Sequence, residues 1–451
     1  MQFRDAITQV DGLRYIVERL GLCSAASRNV LYDSEFLRSG EAVEAELALV
    51  ARAGETDMTD VAIELGRVKD LRGSVSRLAN GETLDDVELF EVKAFAMAAS
   101  SVRTMTDIVA VPDVSAVVAL LDPDRTGVAH FYVYDSYSQE LQKVRRKLRD
   151  ADEGNTAALY TENERLECEV RAQLSARLSP YAPVLREAAA ALAHLDIAMA
   201  KAAQTRSLGL CRPTVATAET RYEGLFDPSL REALRARGRE FQPVDITLGA
   251  GPTVVTGANM GGKTVLLRSL ALAQTLFQFG FYIPARAAEI VIADGVRTVI
   301  NEQRDEVSGL SSFAREVVRI NEITAAVRRG ERPLVLLDEP AHTTNPAEGA
   351  AIVGALLDFL AEHRVRSVIT THYSGVATAV ERLRVRGFYG DTEDVTVDNI
   401  GDYMDYSLVA DEGDDPPREA LRIARILGAD EKIIERATKH ARVFSSLPDG
   451  K

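Results

Sequence analysis

Four short segments in the second half of the chain carry residue types that together could bind and cleave a phosphate anhydride. The first is Gly257-Ala258-Asn259-Met260-Gly261-Gly262-Lys263-Thr264, followed by Val265. Its spacing, Gly-x-x-x-x-Gly-Lys-Thr, is that of a phosphate-binding loop. Glycines let the backbone curl so that successive N–H groups converge on phosphate oxygens. A helix beginning at the end of the loop aims its positive terminus at the same anion. Lys263 adds a full charge for the β- and γ-phosphates, and the Thr264 hydroxyl suits Mg²⁺. The second segment, Leu334-Val335-Leu336-Leu337-Asp338-Glu339, is an apolar run ending in two carboxylates. Behind such a loop, Asp338 is expected to position the metal and Glu339 to polarise the attacking water as general base. The third, Thr370-Thr371-His372-Tyr373, ends another apolar run, where His372 could donate to the γ-phosphate. The fourth, Ser308-Gly309-Leu310-Ser311-Ser312, opens a helix with hydroxyls and backbone N–H groups, a second surface suited to phosphate.

These segments require strands and helices to hold them. TVVT (253–256) reads as a buried strand and VLLRSLALA (265–273) as the start of an apolar helix. EIVIADGV (289–296), RPLVLLDEP and HRVRSVITTHY read as further strands with helices between them, which implies a mostly parallel, doubly wound sheet. The first half reads differently. Apolar positions recur at three and four, as in Val43, Leu47 and Val50, so residues 4–150 are expected to be helical almost throughout. HFYVYD (130–135) interrupts as a short strand-like piece. Asp85, Asp86 and Glu88 fit a solvated first helical turn better than a metal site. Residues 138–178 predict an antiparallel helical hairpin with arms of ~25–35 Å at 1.5 Å per residue. Its charges balance at eight Lys/Arg to eight Asp/Glu. A salt-bridged solvated hairpin and a nucleic-acid clamp both remain open, since a clamp is expected to carry a basic surplus.

The chain is therefore expected to be multidomain: a mostly α-helical core and lever region over 1–137, a hairpin over 138–180, a returning helix over 181–215, and an α/β nucleotide-binding domain over 216–451. The 451 residues suffice for this, and 46% hydrophobic with 27% charged is an ordinary globular composition. No apolar run approaches the ~18 residues of a membrane span. Cys23, Cys168 and Cys211 are far apart and show no metal spacing, so a reducing cytoplasm is the expected home. The net charge of −15 weighs mildly against a surface that grips nucleic acid all round.

Taken in order, the blocks resemble the MutS family of ATPases. TGANMGGKT is similar to the family's TGPNMGGKST, SGLSSF with Glu316 to its signature GxSTFxxE, and LLDEPAHTTNPAEG to its DE-x-G-x-GT-x-P-x-[DE]-G block. TTHY matches outright, and EALRIARILGADEKIIERA (419–437) is similar to the family's closing segment. ASRNVLYDSEFL, DVELFEVKAF and YDSYSQELQKVRRKLR resemble its helical core and levers. The resemblance implies an α/β ATPase domain of the ABC and MutS type, using ATP and Mg²⁺ in a homodimer or a heterodimer with a related subunit. It places Ala258, Asn259, Met260, Gly261 and Val265 with the other loop residues around the nucleotide, with Asn259 beside the γ-phosphate. Phe241 would stack on adenine, and Ser308, Gly309 and Ser311 would reach the partner's nucleotide. Departures accompany these matches. The chain starts at the helical core, no Phe-x-Glu triplet occurs, Val265 replaces a hydroxyl, and Pro340-Ala341-His342 replaces a small glycine turn. The mismatch-recognition domain is thus expected to be absent. The implied target is double-stranded DNA. The alternative is a protein partner, such as a cobalamin-dependent aminomutase served by short members of the family.

Overall fold

The structure, a computed structural model, describes residues 1–151, 156–257, 261–300, 312–373, 380–389, 395–396, 399–411 and 419–445. Its first part is helical: α1 (Phe3–Gln9), α2 (Leu13–Glu18), α3 (Ala25–Asp33), α4 (Gly40–Glu55), α5 (Thr59–Leu65), α6 (Arg72–Ala79), α7 (Asp86–Met105) and α8 (Ser115–Leu121). Local chemistry sets the boundaries. The Asp85 carboxylate accepts the Glu88 N–H, and the Glu88 carboxylate accepts the Asp85 N–H, a reciprocal cap that starts α7. These acids therefore serve helix initiation, as their spacing implied. The piece 130–134 pairs with no strand among the described residues. Phe131, Val133 and Tyr134 are buried among helices instead, and the His130 carbonyl accepts from the buried Lys93 Nζ at 2.8 Å.

The hairpin consists of α9 (Gln139–Asp150) and α10 (Ala157–Leu178), with its tip, 152–155, outside the described residues. At 1.5 Å per residue the arms are ~18 Å and ~33 Å, so the first is shorter than expected. No apolar residue follows Leu148 on α9, and Ala151 is extended, so nothing prolongs the packed face. Arg145 fastens the root of the hairpin, pairing with Asp135 at 2.6 Å and Glu167 at 2.8 Å. The alanine-rich α11 (Ala182–Leu208) then runs 27 residues to Gly209, whose φ of +64° ends it.

The remaining strands form two sheets. β1 (Thr214–Ala216), β2 (Thr220–Leu225) and β3 (Val244–Leu248), with α12 (Pro228–Arg235) between the last two, precede β4 (Pro252–Thr256) and α13 (Lys263–Gln278). Then come β5 (Ala287–Val291), β6 (Val296–Val299), α14 (Ser312–Arg328), β7 (Leu334–Asp338), α15 (Pro346–Glu362), β8 (Ser367–Thr370), β9 (Glu381–Phe388), β10 (Met404–Ala410), α16 (Glu419–Ile426) and α17 (Glu431–Ser445). The larger sheet has the order β10-β9-β4-β8-β7-β6 and is parallel except for β10 against β9. The strand read at 289–296 is split between the sheets. β5 joins a small mixed sheet, β1-β5-β2-β3, while β6 forms the edge of the parallel one.

One apolar core joins the N-terminal helices to the nucleotide-loop helix. Phe3, Leu13 and Leu47 pack in the same cluster as Leu270, Phe277 and Phe281. Phe3 stacks on Phe281 at 5.8 Å and meets Phe279 edge-on at 4.8 Å. Gln278, fully buried on α13, donates to the carbonyls of Leu37 and Ala293. A second core holds α4–α11 together around Leu89, Phe95 and Leu192. Among the described residues no helix is long and apolar enough to cross a membrane.

Candidate functional site

β4 is buried at all five positions and delivers the chain to Gly257, whose φ is +136°. Val385 on the neighbouring β9 lies 3.1 Å from where a Cβ on Gly257 would sit, so both conformation and space select glycine. Gly262, at φ +73°, turns the chain into α13 and, being glycine, brings no side chain to cap it. A helix start whose cap residue has no side chain suits an anion as acceptor for its first N–H groups. Ala258, Asn259 and Met260 lie outside the described residues, as do Ser308, Gly309 and Ser311.

The carboxylate pair arrives from the third strand of the parallel run. β7 is buried throughout and lies one strand away from β4, with β8 between them. Asp338 accepts from Thr264 Oγ1 through Oδ2 and from Thr370 Oγ1 through Oδ1, both at 2.7 Å. The Glu339 N–H donates to Thr370 Oγ1 at 2.9 Å. Glu339 Oε1 lies 2.9 Å from Lys263 Nζ, and Oε2 lies 3.9 Å from His372 Nδ1. Lys263, only 4% exposed, also donates to the Gly257 carbonyl at 2.7 Å. The structure thus brings Gly257, Lys263, Thr264, Asp338, Glu339 and His372 to one end of the sheet. Thr370 sits between the two acids, a role the sequence reading did not assign. Its signal was available, a hydroxyl on the last residue of a buried strand beside the carboxylate strand.

Among the described residues no group of three His, Cys, Asp or Glu could hold a metal. A single carboxylate beside a hydroxyl, both hard oxygen donors, nevertheless fits Mg²⁺, which keeps most of its waters and takes few protein ligands.

Beside the loop lies a cavity of about 390 Å³ lined by Phe241, Gly261, Gly262, Val265, Met404 and Tyr406, among others. The Tyr406 ring comes within 3.0 Å of where a Gly262 Cβ would project. Gln242 ties the two walls together, donating to Asp405 Oδ1 at 2.9 Å and accepting the Tyr406 N–H at 3.0 Å. Burial pushes Asp405 up, but hydrogen bonds from Ser407 and Gln242 outweigh it and hold the carboxyl down to about 2. A largely apolar slot with Phe241 and Tyr406 in its lining suits a planar ring.

The turn after β7 is fixed from outside. Glu339 and Ala341 both have positive φ, +47° and +60°. The Ala341 N–H donates to Glu316 Oε1 at 2.6 Å, and its carbonyl accepts from Tyr373 Oη at 2.8 Å. Burial raises the Glu316 carboxyl above its ordinary range, only partly offset by that N–H and by the nearby His342.

Residues 253–445 match the family model described as MutS domain V. The chain is 33% identical to the DNA mismatch repair protein MutS of Thermus thermophilus over 289 residues, 64% of this chain and 34% of that protein. It is 34% identical to Endonuclease MutS2 of Geobacillus thermodenitrificans over 272 residues, 59% of this chain and 32% of that one. With Endonuclease MutS2 of Streptococcus gordonii the figures are 30% over 292 residues, 64% and 36%. The matched region spans about a third of the length of these relatives.

Proposed function

Because the chain belongs to the MutS family, we propose that it is a Mg²⁺-dependent ATPase that works as a dimer and uses hydrolysis to open and close its helical arms on double-stranded DNA. The observation that carries the reading is the convergence of Lys263, Thr264, Asp338, Glu339 and His372 at the N-terminus of a helix whose cap residue is a glycine. In this reading Lys263 and the loop backbone hold the β- and γ-phosphates. Thr264 and Asp338 would hold Mg²⁺, which would supply charge neutralisation to the phosphate oxygens. Triphosphate binding exchanges the Glu339 contact of Lys263 for phosphate oxygens. The freed Glu339 carboxylate then accepts a proton from water, while His372 donates to the γ-phosphate. Phe241 and Tyr406 sandwich the adenine. Asn259 would lie at the γ-phosphate, and Ser308, Gly309 and Ser311 of one protomer would close on the nucleotide of the other.

Charge favours a second reading, in which the arms act on a protein, for example a cobalamin-dependent enzyme. The chain carries −15 overall and its hairpin balances eight charges against eight. The deciding experiment is steady-state ATP hydrolysis with and without plain, mismatched and branched duplexes. Stimulation that fades as salt rises supports closure on the phosphate backbone. A basal rate that no DNA alters moves the reading to a protein target. Absence of Mg²⁺-dependent hydrolysis in every condition refutes the ATPase itself.

A further inference from the structure

The turn that carries the general base is strained, and the strain falls where it matters. Glu339 and Ala341 flank Pro340, and both adopt the left-handed region that side chains with a Cβ avoid. This chain places Pro340-Ala341-His342 here, with no glycine among them. Something must supply what glycine would have given for nothing. Ala341 is 1% exposed, and both of its backbone groups are held. The N–H goes to Glu316 on α14 and the carbonyl to the buried Tyr373 hydroxyl, with a longer contact from the Thr344 N–H at 3.3 Å. Room for the hydroxyl is reserved on α15, where a Cβ on Gly349 would fall 2.3 Å from Tyr373 Oη and 3.0 Å from the Ala341 carbonyl oxygen.

We infer that Glu316 and Tyr373 are positioning residues that clamp Ala341 in its left-handed conformation and so aim the Glu339 carboxylate. The inference rests on Glu339 being the general base of the proposed ATPase. Neither residue touches nucleotide in this scheme. Glu316 acts through one hydrogen bond to the backbone two residues beyond the base, and Tyr373 acts through another. A displacement of ~1 Å at a reacting group costs on the order of 100-fold in rate, so losing either anchor is felt in turnover before it is felt in binding. Because Glu316 sits on the helix that follows the Ser308–Ser312 segment, the clamp also ties that helix to the base.

The test is steady-state ATP hydrolysis by the full chain, comparing kcat with KM. Glu316→Ala is expected to lower kcat by ~10- to 100-fold while KM stays within about 3-fold. Glu316→Gln keeps an acceptor oxygen for the Ala341 N–H and should recover most of the loss. The double variant Glu316→Ala/Ala341→Gly should also recover, because glycine adopts the turn without a clamp. A merely structural role does not give that rescue. Tyr373→Phe removes a single oxygen without emptying the core, and should lower kcat several-fold with the same unchanged KM, even if Glu316→Ala folds poorly. Wild-type kcat in both Glu316→Ala and Tyr373→Phe overturns the clamp, as does failure of Ala341→Gly to rescue. Glu339→Gln runs alongside. If it is inactive while the clamp variants are unimpaired, only the clamp is wrong. If it hydrolyses ATP at the wild-type rate, the base assignment has failed and the clamp falls with it.

Discussion

Lys201 offers a quantitative test of how α11 is joined to α13. Its side chain is 4% exposed, and Nζ donates to the Phe279 carbonyl at 2.7 Å, capping the C-terminus of α13. Glu46 Oε2 is 3.9 Å away, and the Phe281 ring lies 4.3 Å beneath the ammonium. Burial pulls the lysine down to about 8, against which the Glu46 charge acts only partly. Below pH 8 both folded and unfolded chains hold the proton, and the folded state bears the full desolvation cost. Between pH 8 and 10.5 the unfolded chain holds it and the folded chain does not, so stability rises with pH. The drop from 10.5 to about 8 corresponds to on the order of 3 kcal/mol, of which about 2 kcal/mol should be realised by pH 9.5. Lys201→Met keeps the stem and removes the titration. The measurement is the difference in urea-unfolding free energy between wild type and variant at pH 7, 8, 9 and 9.5. Cys23 and Cys211, each raised to about 11 by burial, weaken both proteins alike above pH 9 and cancel in the difference. Burial pushes Glu46 up, but the His194 hydrogen bond and the Lys201 charge outweigh it and leave the carboxyl below its ordinary range, so it does not titrate in this window. The gap should move toward wild type by about 2 kcal/mol between pH 7 and 9.5. A gap that stays flat would refute the buried, charge-penalised lysine.

Three further outcomes are expected. Lys93→Met should cost about 3–5 kcal/mol by urea unfolding, because it leaves Asp122, 3.0 Å from Nζ and 6% exposed, as a buried carboxylate without its cation; a loss under ~1 kcal/mol would contradict this. Gly349→Ala should lower the melting temperature through overpacking of about 1–3 kcal/mol against the Tyr373 hydroxyl, and an unchanged melting curve would show that the helix yields freely. Lys263→Ala should abolish binding of a fluorescent ATP analogue in an equilibrium titration, and retained micromolar affinity would remove the loop from the site.

What could be read from the sequence was whatever contiguous residues encode. The loop spacing, the Asp338–Glu339 strand end and the His372 strand end each carry their meaning within a few residues, and β4, β7 and β8 put them side by side. The strand-like pattern at 130–135 misled because alternation reports burial, not pairing; Phe131 and Val133 are buried against helices. The apolar run at 289–296 spans a bend between two sheets, and periodicity carries no signal for which sheet a strand joins. The clamp on Ala341 was illegible for a different reason. Its members lie 25 and 32 residues from Ala341, and neither a buried tyrosine nor a glutamate near a helix start announces a backbone partner. Residues 1–47 share a core with α13, a long-range union that no local pattern reports.

The seating of α11 has a geometric consequence. Its Lys201 end is fixed to the far terminus of the helix that begins at Lys263, while its first turns pack with the root of the hairpin at Leu178 and Leu185. From Lys201 back to Ala182 the rod measures ~28 Å at 1.5 Å per residue. A tilt of ~5° about the Lys201 end, smaller than the scatter in ordinary helix crossings, carries Ala182 through ~2.5 Å. Such a tilt would have a displacement gain set by the length of this alanine-rich helix, and it would carry the buried middle, Ala188, Leu192 and Leu195, along with it.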